Sequence, residues 1–245
     1  MPFFMRHYKT IADKIIVQDC GSTDRTCDIA SDAGAEVQLT GTWDMDEKRR
    51  RDDSQQFVHE AAPCARWCIA VDADEFILGD FDRAFADGER QNAEVLQTIG
   101  WTMTGNGFPA DDGRQIYDIT DTGLMSGAAK PCVCRAGAQF LWSVGRHYVE
   151  TQHTRIMPPL LHLLHYRYLG EVYTRIRNER NWARSPDKMT AFTCSSEWTG
   201  HGSHKLAGES AGKGLNVMAE IPKMGYAEMS GYAPHLDHHW MLKAP

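Results

Sequence analysis

The chain has 245 residues, 42% of them apolar and 24% charged, as in a folded globular protein rather than a disordered one. Acidic residues outnumber basic ones, 33 to 26, and the net charge of −7 argues against the broad positive field that non-specific nucleic-acid binding uses. No apolar run approaches the roughly 20 residues of a membrane-spanning helix. The apolar opening Met1-Pro2-Phe3-Phe4-Met5 is cut short by Arg6 and His7, so a cytoplasmic protein with no transmembrane segment is expected.

The first seventy-five residues read as alternating strand and helix. Lys14 to Gln18 is a β-branched run closed by Asp19-Cys20-Gly21-Ser22. Ser22-Thr23-Asp24 supplies helix N-cap formers ahead of a helix from Thr26 to Ala33, with Gly34 placed as its C-cap. Ala35 to Leu39 alternates as a second strand, and the charged stretch Asp44 to Asp53 leads into a helix over Ser54 to Ala62, ended by Pro63. Trp67 to Val71 is continuously apolar, the pattern of a strand covered on both faces. This order predicts an α/β fold with a mostly parallel central sheet and right-handed crossovers. Beyond Glu75 the pattern loosens: Gly100 to Gly127 reads as loops with short strands, and Val133 to Val149 as two more strands. Met157 to Tyr168 is apolar with embedded histidines, and Glu171 to Arg184 has helical composition.

Seven cysteines cannot all pair with one another, and neither Cys64/Cys68 nor Cys132/Cys134 has C-x-x-C spacing. Reduced, mostly buried thiols are expected.

Two acidic positions stand out by location. Asp19 follows one predicted strand and Asp72 another, and in an open parallel sheet ligands bind beyond the carboxyl ends of the strands. As parallel neighbours the two strands would open Asp19 and Asp72 onto one crevice. Asp72-Ala73-Asp74-Glu75 packs three carboxylates into four residues, which is costly beside a buried strand without a compensating cation. Mg²⁺ is such a cation, since it combines one or two carboxylates with substrate phosphates. An acidic turn capping a following helix is the plainer alternative.

Ile15 to Thr26, with Asp19-Cys20-Gly21-Ser22-Thr23-Asp24 at its centre, resembles the "vvDdGSTDgT" segment of family 2 glycosyltransferases. Trp67 to Phe76 is similar to their D-x-D segment in the D-x-D-E-F form of one bacterial branch. Lys130-Pro131, Gly145-Arg146-His147 and Leu163-Leu164-His165-Tyr166-Arg167 are similar to that branch's "KP", "GxH" and "LLHYR" elements. The resemblance implies a GT-A, Rossmann-like fold with a mostly parallel central sheet flanked by helices. It also implies a nucleotide-sugar donor, a divalent metal (Mn²⁺ or Mg²⁺), and a glycan, lipid or protein acceptor attacked with inversion. Asp19 would contact the base or ribose, Asp72 would lie near the ribose and metal, and Asp74 would be the principal metal carboxylate. His165, or else His147, would complete the metal–diphosphate site, and Glu75 would orient the others or act on the acceptor side. Asp111, Asp112, Asp118, Asp121 and Glu150 remain equal candidates for the base that deprotonates the acceptor. Members of the family begin with a strand and K-N-E ahead of the segment matching Met1 to Tyr8, and that strand is missing from this sequence. The resemblance thus implies a domain over residues 1–184 without its first strand, and the dominance of Gly, Ser, His and Met from Ser185 onward predicts a loosely structured extension over 185–245.

His162-x-x-His165 would share one face of a helix, but no H-E-x-x-H zinc pattern accompanies it. A core histidine accounts for His162. His201, His204, His235, His238 and His239 fall in the tail and read as solvated. Lys48 to Arg51 is flanked by acids and reads as a solvated segment from which one arginine could reach a diphosphate. Trp101, Trp142, Trp182, Trp198 and Trp240 read mainly as packing residues. No P-loop and no G-x-S-x-G elbow occurs. A truncated, inactive binding protein of the same fold is the alternative reading. A nucleotidyltransferase would need a Gly-rich basic loop that the sequence lacks.

Overall fold

A computed structural model describes residues 1–40, 47–61, 63–125, 129–150, 153–183 and 211–224. The chain divides into two compact units, each assembled from separated segments. The first comprises Met1–Asp46, Met103–Thr122 and Tyr166–Gly214, and the second Glu47–Thr102, Gly123–His165 and Leu215–Pro245. Most of the residues 185–245, including Cys194, Trp198, Trp240, His201, His204, His235, His238 and His239, lie outside the described residues.

In the first unit, helix α1 (Pro2–Tyr8) precedes strand β1 (Ile16–Asp19), helix α2 (Thr26–Asp32) and strand β2 (Glu36–Leu39). β1 and β2 pair in parallel, Ile16 opposite Glu36 and Asp19 opposite Leu39, with α2 as the crossover. The end of α2 follows from Gly34: at φ +90° it lets its own N–H reach Ser31 O and that of Ala35 reach Ala30 O, which satisfies the last carbonyls of the helix. The segment leading to helix α5 (Glu171–Ala183) also belongs to this unit.

The second unit is built on a sheet that is seven-stranded among the described residues. Helix α3 (Glu47–Glu60) leads to strand β3 (Trp67–Ile69), which is followed directly by strand β4 (Glu75–Leu78) and then by helix α4 (Phe81–Arg90). Strands β5 (Val95–Thr104), β6 (Thr122–Met125), β7 (Val133–Arg135), β8 (Ile156–Tyr168) and β9 (Leu215–Asn216) complete it, with helix α6 (Val217–Glu220) after β9. The path is β3-β7-β5-β6-β9, with β8 pairing both β4 and β5. β3 with β7, β4 with β8 and β5 with β7 are all antiparallel.

The expected Rossmann-like, mostly parallel sheet is therefore not formed. The large sheet is mostly antiparallel, and β1 and β2 form a small parallel pair. The apolar run at β3 misled because it reports that both faces are covered, not which way the neighbouring strand runs. Cys68 packs into a cluster with Val58 of α3, Val95, Cys134, Phe140 and Trp142. Trp67 and Ile69 pack against the opposite cluster of Ala84 of α4, Leu96, Val133 and Leu163. β1 and β3 belong to different sheets, so the parallel neighbourhood expected to bring Asp19 and Asp72 onto one crevice does not exist.

A candidate anion and metal site at the acidic turn

Asp72 to Glu75 forms a tight turn between β3 and β4. The Glu75 backbone N–H donates to Asp72 O (3.0 Å), and the Asp72 N–H donates to the Glu75 carboxylate (2.9 Å). The turn thus pulls Glu75 inward, where its side chain is fully buried and ion-paired with Lys130. Lys130 is itself buried and fixed by β5: its N–H donates to Thr98 Oγ1 (3.1 Å), and that hydroxyl donates to Lys130 O (2.9 Å). Burial works against the Lys130 charge, but Glu75 and Asp72 outweigh it and raise its pKa.

Asp72 gathers three cations. Arg50 of α3 (2.9 Å) and Arg146 (2.5 Å) both reach Oδ1, and Lys130 lies 3.4 Å from Oδ2. Burial would raise the Asp72 pKa, yet Lys130, Arg146, Arg50 and His165 together hold it well below the usual carboxylate range. Arg146 comes from a short turn at Val144–Arg146 and has a left-handed backbone, φ +58°, next to Gly145 at φ +80°. Its guanidinium also donates to Ser54 Oγ (3.2 Å), which in turn donates to Arg50 O (2.8 Å).

His165 Nε2 lies 3.8 Å from Asp74 Oδ2 and 3.8 Å from Glu75 Oε1. The pairing of β4 with β8 accounts for this, since Glu75 and His165 are register partners. The notion that His162 and His165 share a helix face is replaced by strand geometry, where residues three apart point to opposite faces. His162 turns into the core and accepts a hydrogen bond at Nδ1 from Trp101 Nε1 (3.0 Å); burial lowers its pKa to about 4.

Among the described residues no three His, Cys, Asp or Glu side chains converge as a metal cage. Asp74 and His165 offer one oxygen and one nitrogen at a separation two ligands of one ion can adopt. That donor set fits a divalent ion arriving with a diphosphate, which asks for only one or two protein ligands, and not an ion held by protein alone.

Other expected site residues have different surroundings. The Asp19 carboxylate accepts from Gly21 N–H (2.9 Å), Ser22 N–H (2.8 Å) and Ser22 Oγ (2.5 Å), organising its own loop. Burial opposes its charge, but the Ser22, Gly21 and Cys27 hydrogen bonds win and lower its pKa. His147 follows Arg146, its backbone N–H donating to Ser143 Oγ (3.1 Å), and its ring would lie 3.0 Å from a Cβ at Gly145. Hydrogen bonds from Arg6 to Asp111 and from Arg114 to Asp112 lower both carboxyl pKa values, which weakens each as a base. Trp101 and Trp142 are fully buried.

The sequence pointed first to acids and histidines, and of the cations only to one arginine of Lys48 to Arg51 as able to reach a diphosphate. Arg50 lies in the run Lys48 to Arg51, whose other members pair with Asp52 and Asp53 along α3. Lys130 sat in the quoted Lys130-Pro131 pair, and Arg146 inside Gly145-Arg146-His147. The available signal was charge arithmetic: three acids at a strand end need positive partners, and these short elements carry them.

A scan of protein-family models finds none that matches the chain, and a comparison with curated proteins finds no match either. No helix among the described residues is long and apolar enough to cross a membrane.

Proposed function

We propose that this chain is a glycosyltransferase that moves a sugar, with inversion, from a nucleotide-sugar donor to a hydroxyl of a glycan, lipid or protein acceptor. The observation that carries this reading is the pairing of two chemistries at one turn, the Asp74–His165 donors and the Arg50–Lys130–Arg146 cations. The motif resemblance at Asp19 to Asp24 and at Asp72 to Phe76 supports it. Departure of a nucleoside diphosphate leaves negative charge on its terminal phosphate, and fixed cations in a partly buried site stabilise that charge as it develops. Arg50 and Arg146 offer planar forks suited to phosphate oxygens, and Lys130 supplies a point charge held in place by Thr98. Asp74 and His165 would hold the divalent ion. When bound, the ion supplies further neutralisation of the diphosphate. The buried Glu75 keeps Lys130 charged and fixed in position. We place the reaction in the cytoplasm, a reducing compartment consistent with six described cysteines that are all free thiols.

One observation favours a second reading, binding without catalysis. Asp72 and Glu75 already pair with the three cations, as the carboxylates of a purely structural network would. Thermal-shift measurements over a panel of UDP- and GDP-sugars with Mn²⁺, together with assay of nucleoside diphosphate release, separate the readings. Stabilisation with release is expected. Stabilisation without release supports the binding protein, and no stabilisation by any donor contradicts both.

A further inference from the structure

Asp72 holds more positive charge than one carboxylate balances. Two guanidinium groups meet at its Oδ1 and the Lys130 ammonium stands at its Oδ2. Lys130 is shared with Glu75, which leaves the two guanidinium groups and part of the ammonium to Asp72. Donors distributed in this way over two oxygens match a phosphoryl group, which offers more oxygens and more charge to the same forks.

Two further features separate this cluster from an inert ion network. The Asp72 and Arg50 side chains retain 27% and 32% of their exposure, so a soluble anion can reach them, whereas Lys130 and Glu75 beneath are closed off. Arg146 is also held in a left-handed backbone conformation, and strained residues of this kind collect at ligand clamps.

We propose that Asp72 is an internal stand-in for a diphosphate: it fills the Arg50–Lys130–Arg146 cradle in the free protein and is displaced when the diphosphate enters. This deepens the donor-binding reading above and rests on it for the identity of the natural ligand. The carboxylate competes with the ligand, so the apparent affinity falls by the fraction of molecules whose cradle is open. Its removal strengthens binding. A carboxylate that served as a direct ligand of donor or metal would give the opposite sign.

The test uses inorganic pyrophosphate without metal, titrated calorimetrically into the full chain and into Asp72→Asn. Binding to Asp72→Asn is expected to be at least about tenfold tighter, corresponding to a cradle open in under about a tenth of parent molecules. Arg50→Gln in the Asp72→Asn background should reverse most of that gain. Equal or weaker binding by Asp72→Asn overturns the proposal. If the substitution destabilises the fold, the pyrophosphate-induced rise in Tm decides: a larger rise than in the parent supports the stand-in role, and an equal or smaller rise refutes it. A tighter pyrophosphate complex that takes no UDP, GDP or nucleotide sugar upholds the cradle and defeats the glycosyl-transfer reading.

Discussion

Glu75 and His165 face each other as register partners across β4 and β8, with His165 Nε2 3.8 Å from Glu75 Oε1. Directly opposed residues in an antiparallel pair project from the same face. The imidazole is thereby delivered to the acidic turn by sheet pairing, although 90 positions separate the two residues in the chain. Glu75 in turn grips Lys130, and Lys130 reaches Asp72, so one buried carboxylate ties the histidine side of the site to its cationic side.

Breaking the Glu75–Lys130 pair from one side leaves a buried charge without its partner. Glu75→Gln and Lys130→Met should each lower unfolding free energy by about 3 kcal/mol in urea titrations. The double variant should lose clearly less than the sum of the two. Additive losses would show that the two groups do not interact.

His162 should make stability depend on pH. Its folded pKa is lowered to about 4 from an ordinary 6.5, so the unfolded chain binds the extra proton first as pH falls. The stabilisation is full above pH 6.5 and is lost progressively down to about pH 4, with a maximum of about 3 kcal/mol. Urea unfolding across this window should show a slope that is absent from His162→Gln. Identical slopes would place the histidine in water.

The local elements were legible in the sequence because their signals are local. α2 with its Gly34 ending, the strands around Val17 and Val37, and the helix from Glu171 follow from capping residues and periodicity. The acidic turn was visible as a dense run after an apolar one. Strand direction was not legible, because burial of Cys68 on one face and Trp67 on the other says nothing about how β7 runs. The start of α3 was also hidden, since Glu47 to Asp53 is charged throughout and its i,i+4 ion pairs, not an apolar face, accompany the first turns. The cradle was the hardest part: Arg50, Lys130 and Arg146 stand 80 and 16 positions apart, and only the packing of α3 and the Arg146 turn onto Asp72 unites them.

Gly145 and Gly34 offer a matched comparison. Both have positive φ, but a Cβ at Gly145 meets the His147 ring at 3.0 Å, whereas nothing lies within 4 Å at Gly34. Gly34→Ala should cost about 1 kcal/mol from backbone conformation alone. Gly145→Ala should cost about 2 kcal/mol and also displace Arg146, weakening pyrophosphate binding. Equal costs, with pyrophosphate binding intact, would show that the turn tolerates a side chain.

The most direct test is calorimetry of UDP and GDP binding with and without Mn²⁺, comparing the parent with Asp74→Asn. The account predicts that Mn²⁺ strengthens nucleoside diphosphate binding by the parent and that Asp74→Asn abolishes this gain while its thermal unfolding stays close to the parent's. Equal metal-dependent binding by parent and variant, or no binding of either nucleotide by the parent, would contradict it.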